Sequence, residues 1–352
     1  MVSREKIVTL QVLRAFAFLG IFLSHTETIK HFEFGAWGVS VFIILSGFLM
    51  YYNHYDDKYD ISIGESLKFS LKRIKKLYPL HIFTMLLALV FATQTLLGGT
   101  LRSTGLYIVN IVLNLILLQT WIPSSAVYFS LNGVAWYLSL CLFLYFCTPF
   151  ILKRASKLNR ISDAIKVMVI VYMIQFVLAF ATRHITIPYA DFTHWFAYIF
   201  PPFRLGDYII GVCLGFIYTR YDFKKSVAFS SVLETAAIVL ALVASWMYVS
   251  VGHKWFCISL NYALSSLLLI FVFAEHNGII TKALSIKPLV YLGNISGEAF
   301  LLHQITMKYV STIGNHWFSL HNAYIVGIIS FVVTVICSQL WRKVTRQMKA
   351  VK

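Results

Sequence analysis

Residues 106–121 read LYIVNIVLNLILLQTW. The stretch is uncharged, yet Asn110 and Asn114 sit near its middle, and whether it crosses a bilayer decides the topology of the chain. Around it lie apolar segments at 7–26, 36–52, 77–97, 133–152, 167–182, 195–218, 229–250, 257–274, 290–311 and 323–341. A bilayer core of about 30 Å needs about 20 apolar residues in a helix, which is the scale of these segments. The chain is 59% hydrophobic and 12% charged over 352 residues, with a mean hydropathy of +0.75. Soluble domains carry about 25% charged residues, so this chain has too few to cover a water-facing surface. It reads as a polytopic membrane protein.

Counting 106–121 as a crossing gives eleven, which puts the termini on opposite sides. Both termini are basic, with Arg4 and Lys6 at one end and Arg342, Lys343, Arg346, Lys349 and Lys352 at the other. Ten crossings with both termini cytoplasmic sort the charges better. Inside segments then hold 23 of the 30 Lys and Arg residues. Outside segments hold Lys30, Arg102, Arg183 and Lys254, while Arg14, Arg204 and Lys308 fall within spans. That bias follows the positive-inside rule. Segment 106–121 becomes an outer re-entrant or interfacial piece, tolerated where protein or a wet cavity covers its backbone. The expectation is an all-α bundle of about ten transmembrane helices forming one membrane-embedded domain, 1–352. The stretch SLKFSLKRIKK (66–76) alternates basic and apolar residues and is expected to lie along the inner surface.

The formal charge of +16 is thus topology control rather than a nucleic-acid footprint, and no nucleic-acid motif is present. Five cysteines stand singly in apolar segments, as small core residues do. The first apolar run is interrupted by Arg14 and lacks an A-x-A-like cleavage site, so it reads as a retained helix.

Ionisable residues inside spans are costly and usually functional. Arg14 and His25 are eleven residues apart, three helical turns plus about 20°, so they share a face about 16 Å apart along the axis. A histidine near the outer mouth is a candidate general base for a hydroxyl. Glu298 and His303 are five residues apart, a poor fit to one face, so each is expected to have its own partner. Arg204 and Asp207, at i,i+3, suit a local structural ion pair. Lys72, Arg73, Lys75 and Lys76 suit either donor phosphates or anionic membrane lipid. The histidines at 31, 184, 194, 253, 316 and 321 lack zinc spacing, so no metal is expected. Trp37, Trp121, Trp195, Trp255 and Trp317 fall at outer span ends, as interfacial belting requires.

Taken in order, several motifs resemble the acyltransferase-3 family of integral membrane acyltransferases. LRAFAFLGIFLSH (13–25) holds the Arg-x10-His pattern as Arg14 and His25, and WGVSVFIILSGFLM (37–50) follows with Ser46. Arg73 and Lys76 precede Tyr78-Pro79, with Lys76 in place of the second arginine of an Arg-x-x-Arg motif. AWYLS (135–139), FRLGDYIIG around Arg204 and LGNISGEAFLLHQ ending near His303 complete the set. The resemblance implies transfer of an acyl group, commonly acetyl, from acyl-CoA to a hydroxyl of an extracytoplasmic or lipid-linked carbohydrate. It implies His25 as base, Arg14 as its partner, Arg73 and Lys76 on the donor phosphates, and no permanently bound cofactor. Secondary candidates are Ser46, as a covalent acyl carrier, and Arg204, Glu298 and His303. A bacterial cell (inner) membrane is the implied location. Two departures stand out: Lys76 presents a point charge rather than a fork, and Cys141 occupies a place where many members carry glutamate. A rival class is a transporter or flippase of a polysaccharide or lipid-linked sugar. A membrane receptor is disfavoured by the short outer loops.

Overall fold

The computed structural model describes residues 6–26, 34–55, 62–97, 101–185, 191–220, 226–251 and 254–350, and it is helical with no strand among them. Helix α1 spans Thr9–Ser24, α2 Phe34–His54, α3 Ile63–Ile74, α4 Tyr78–Leu97 and α5 Leu101–Leu115. After short turns come α6, Trp136–Ala155, and α7, Ile161–Thr182. Then follow α8 (Pro201–Arg220), α9 (Val227–Val251), α10 (Leu260–Glu275), α11 (Lys287–Phe318) and α12 (Ala323–Ala350).

Among the described residues, six helices are long and apolar enough to cross a membrane: α2, α6 with its preceding turn, α7, α8 with its preceding turn, α9 and α12. The bent pair α3–α4, kinked by 62°, makes a seventh if taken as one span. A helix stands at each of the ten expected crossings, but α1 and α10 have only 16 residues each. Helix α11 is long enough at 32 residues, yet it carries Glu298 and Lys308. The apolar windows of α7 and α12 are only 17% buried, against 78% for α2 and for 192–220. Side chains such as Ile170, Val177, Ile328 and Val332 face outward. Contiguous apolar surface on that scale needs a non-aqueous partner, and the protein is a multi-pass membrane protein.

Helices α2 and α8 form the centre because glycine lets their backbones touch. A Cβ on Gly47 would collide with the Tyr208 carbonyl, and one on Gly211 with the Ile44 carbonyl. Small residues serve this purpose in membranes, where lipid tails offer no hydrophobic drive for helix association. Helix α11 approaches α1 in the same way, with Gly293 against the Gln11 carbonyl.

A buried polar knot fixes α8 to its neighbours. The Arg204 Nη2 lies 3.0 Å from Asp207 Oδ2, both side chains essentially inaccessible, and donates to Ser40 Oγ on α2 at 3.1 Å. Gln175 Nε2 on α7 donates to Asp207 Oδ1 at 3.2 Å and to the Phe203 carbonyl at 3.0 Å. Removing one partner of such a pair costs about 3–5 kcal/mol, whereas replacing both with apolar residues is often neutral. Asp207→Leu is therefore expected to lower the thermal midpoint sharply, and Arg204→Met/Asp207→Leu to recover most of it. An unchanged midpoint in the single variant would contradict a structural role.

Segment 106–121 folds back against the side of the bundle, with Ile108, Val109 and Val112 exposed and Asn110 and Asn114 buried. Helix α5 ends beside the first turn of α4, where Tyr78 Oη donates to the Leu115 carbonyl at 2.8 Å and His81 Nε2 to the Asn114 carbonyl at 3.0 Å. Leu117 takes a left-handed backbone, φ 57°, and the chain returns alongside. Asn110 donates to the Ala126 carbonyl and Asn114 to Ser130 Oγ, so the two asparagines hold the return strand of the fold-back.

Helix α3 exposes Leu67, Leu71 and Lys72 on one face and buries Ser66 and Ser70 on the other, where Ser70 donates to the Leu142 carbonyl of α6 at 2.6 Å. One expectation is corrected. Trp37 and Trp195 are not belt residues but core ones, 8% and 7% exposed. The Trp195 indole donates to the Thr120 carbonyl at 2.9 Å, so its polar atom is satisfied inside the protein.

Candidate active site

Arg14 and His25 both face α11. Arg14 Nε donates to Ser296 Oγ at 3.2 Å, and His25 Nδ1 lies 3.3 Å from His303 Nε2. Ser296 and His303 are seven residues apart, two turns of α11, so one helix face answers the other.

The tautomers follow from the acceptors. His25 Nδ1 is 2.7 Å from the Ile21 carbonyl, which can only accept, so Nδ1 carries the proton. His303 Nδ1 is likewise 2.7 Å from the Phe300 carbonyl, leaving its Nε2 as an acceptor. The His25 N–H is therefore shared between Ile21 and His303. His25 Nε2 makes no hydrogen bond among the described residues, and its lone pair is available. His25 is exposed and lines a cavity of about 170 Å³ at the C-terminal end of α1. Phe129, Trp136, His194, Tyr198, Tyr248 and Phe300 stand in its walls. Tyr198 enters this space from a single π turn, Trp195–Ile199, closed by the Phe200 N–H to Trp195 carbonyl bond at 2.9 Å just before Pro201. Such turns often mark functional positions.

Arg14 does not line that cavity. Three aromatic rings fill the interval: Phe300 packs against Tyr137 at 5.2 Å and Phe42 at 6.4 Å, and the Arg14 guanidinium sits 5.9 Å from the Phe42 ring. Below them Arg14 is half-buried, and its terminal nitrogens make no hydrogen bond among the described residues. Tyr137, Tyr145, Glu298 and Arg342 surround it electrostatically. Tyr145 is within electrostatic reach of both Arg14 and Arg73, with Ser46 beside its hydroxyl.

The remaining candidates separate. Arg73 is half-buried, bonded to His54 and stacked on Phe69 at 5.2 Å, while Lys76 is exposed. Glu298 pairs with Arg342 of α12 at 3.5 Å, not with His303. His31 and His253 lie outside the described residues. Sequence reasoning missed His194 and Tyr198, which only tertiary packing brings to the cavity. It also missed the stripe Tyr137, Cys141 and Tyr145, although the i, i+4, i+8 spacing of these polar residues on α6 was there to read.

A family profile described as an acyltransferase domain (acyltransferase-3) matches residues 7–340. The chain belongs to the acyltransferase-3 family. It is similar to the acyltransferase MdmB of Streptomyces mycarofaciens, 28% identical over 86% of this chain and 80% of that protein. It is also similar to the O-acetyltransferase OatA of Staphylococcus aureus, 23% identical over 89% of this chain but only 52% of OatA. No solved structure matches. The protein is thus a membrane acyltransferase, and the Arg14–His25 face lies inside the matched region.

Proposed function

We propose that this acyltransferase moves an acyl group, acetyl by analogy with OatA, from acyl-CoA to a hydroxyl of an extracytoplasmic or lipid-linked carbohydrate. The observation that carries the reading is the α11-facing side of α1. It holds an imidazole whose Nε2, open to a cavity, makes no hydrogen bond among the described residues, and beneath it a guanidinium whose terminal nitrogens make none among them either. The chain crosses ten times with both termini cytoplasmic, in a bacterial cell (inner) membrane, as the 23-to-4 distribution of basic residues supports. Arg73 and Lys76 then meet the donor's phosphates from the cytosol, and the pantetheine arm rises past Tyr145 and Ser46 to Arg14.

The chemistry closes without a permanent cofactor. The acceptor hydroxyl gives its proton to His25 Nε2 as its oxygen attacks the thioester carbon. A C–O bond forms and Arg14 stabilises the oxyanion. Collapse breaks the C–S bond, and the thiolate takes the proton back from Nε2. A hydrogen bond of about 2.9 Å at each end and a nucleophile approach of about 3–3.5 Å cover about 10 Å. The His25 ring turns back toward Ile21, which shortens the about 16 Å between the two backbone levels toward that value. The interval is the one now filled by Phe42, Tyr137 and Phe300, so those rings must part for turnover.

The direct test is acyl transfer from labelled acetyl-CoA in proteoliposomes, joined to mass spectrometry of surface glycans from cells with and without the gene. A mass difference of one acyl group is expected. Sugar movement without acyl-CoA dependence would favour the exporter reading instead.

His303 is a positioning residue in this scheme, since its Nε2 accepts from the His25 N–H that must stay bonded as His25 becomes cationic. Hydrogen bonds to charged groups are worth about 1.5–3 kcal/mol, or about ten- to hundred-fold in rate. His303→Leu is expected to lower kcat by that factor with donor KM unchanged. His303→Gln, which keeps an acceptor oxygen, should recover part of it. Equal loss in both variants would point to a packing role alone.

A further inference from the structure

We propose that Arg220, the last residue of α8, is a second phosphate-binding arginine of the donor site and closes with Arg73 on the diphosphate of the acyl-CoA. The inference rests on reading acyl-CoA as the donor and adds a binding residue from a helix which that reading leaves out.

The packing of α2 on α8 brings Arg220 there. Gly47 meets Tyr208 and Val212, Gly211 meets Ile44 and Phe48, and Gly215 meets Phe48 and Tyr51. These contacts advance together along both helices, so α2 and α8 run parallel and end side by side. At that end Tyr51, His54 and Tyr55 fall on one face of α2. The Arg220 guanidinium sits over the Phe216 ring at 4.7 Å and beside the Tyr51 hydroxyl. Tyr51 packs edge-on against Phe216 at 5.8 Å and stacks with Tyr55 at 5.6 Å, planes 16° apart. Arg73 reaches the same end from α3, bonded to His54 and seated on Phe69 at 5.2 Å. Tyr51 and His54 are three residues apart, so the two arginines attach about 4.5 Å apart along the axis of α2.

Both guanidiniums are held in place without being neutralised. Aromatic rings and uncharged groups seat them, and no carboxylate pairs with either among the described residues. Two cations gathered at one helix end repel each other, and an anion bound between them removes that cost. An arginine fork matches phosphate oxygens two at a time, which an ammonium does not. Lys76 is exposed and offers only a point charge. Arg73 and Arg220 are therefore the pair suited to two phosphates in a row. A lipid headgroup carries the same phosphate chemistry to this end of the bundle, and the test separates the two sources.

The test titrates the full chain in lipid nanodiscs with CoA, with dephospho-CoA, which keeps the diphosphate, and with pantetheine, which has no phosphate. Arg220→Ala is expected to weaken CoA and dephospho-CoA by about ten- to hundred-fold, the worth of hydrogen bonds to a charged group, and to leave pantetheine unchanged. Arg220→Lys keeps the charge without the fork and should fall between. The side chain is exposed, and the Tyr51 hydroxyl keeps Thr219 beside it, so its removal opens no hole. Arg220→Gln serves if the alanine variant does not fold. Unchanged CoA affinity, as a guanidinium serving only a lipid headgroup would give, overturns the assignment. An equal loss for pantetheine, as a packing defect would give, also overturns it, and so does a loss for CoA that spares dephospho-CoA. Labelled acetyl-CoA separates this claim from the reading beneath it. CoA bound through Arg220 with no acetyl transfer in the wild type keeps the site and defeats the donor reading. Transfer with a donor KM indifferent to Arg220→Ala keeps the donor reading and defeats the site. No CoA binding in any form of the protein defeats both.

Discussion

His25→Ala is expected to reduce acyl transfer by about 10²–10⁴-fold, the usual contribution of a positioned general base, while the protein inserts and stays folded. The side chain is exposed to the cavity and contributes one ring contact, to His303 at 5.0 Å, so its removal leaves no buried hole. The loss should fall on kcat, because donor binding is assigned to groups at the other end of α1. A cleaner variant is His25→Gln, which keeps a polar group of similar reach but cannot take a proton at neutral pH. Single-turnover transfer from labelled acetyl-CoA in proteoliposomes reads both. If either variant transfers at the wild-type rate, the base lies elsewhere.

Arg14→Ala is expected to cost about 10²–10³-fold, the scale of losing one preorganised donor to an oxyanion. Among the described residues the guanidinium is held by its Nε to Ser296, which leaves two nitrogens for a carbonyl oxygen. Arg14→Lys keeps the charge but gives up the Ser296 anchor and the fork, and should fall between wild type and alanine. Stability needs separate control, since Glu298 is close enough to feel the Arg14 charge. Glu298 retains Arg342 as its partner at 3.5 Å, so the alanine variant does not strand a buried carboxylate. Thermal midpoints of both variants within a few degrees of wild type, with the rate ordered Arg > Lys > Ala, are the expected result. A rate loss matched by a collapse in midpoint would assign Arg14 to the scaffold.

Much of this site was legible along single helices. The eleven-residue interval correctly put Arg14 and His25 on one side of α1, because backbone geometry alone sets that angle. The i,i+3 spacing identified the Arg204–Asp207 pair, and the five-residue interval rightly denied Glu298 and His303 a shared face. What crossed between helices was not legible. His303 reaches His25 over 278 residues of chain, Arg342 reaches Glu298 from the last helix, and Tyr198 arrives through a π turn that no periodicity announces. The tryptophans mislead for a related reason. Trp195 sits at an apparent span end, yet a carbonyl from the folded-back 106–121 region satisfies its indole inside the protein.

Low charge and repeated apolar runs by themselves determined that this chain is a helical membrane protein, because no water-facing surface can be built from so few polar groups. They also determined which polar residues had to be explained, since each one in a span is costly. Only the tertiary structure decided their partners. Helix faces meet where glycines such as Gly47, Gly211 and Gly293 allow backbones to touch and where buried polar atoms find complements. Both conditions depend on side chains far apart in the chain, so no local pattern encodes them.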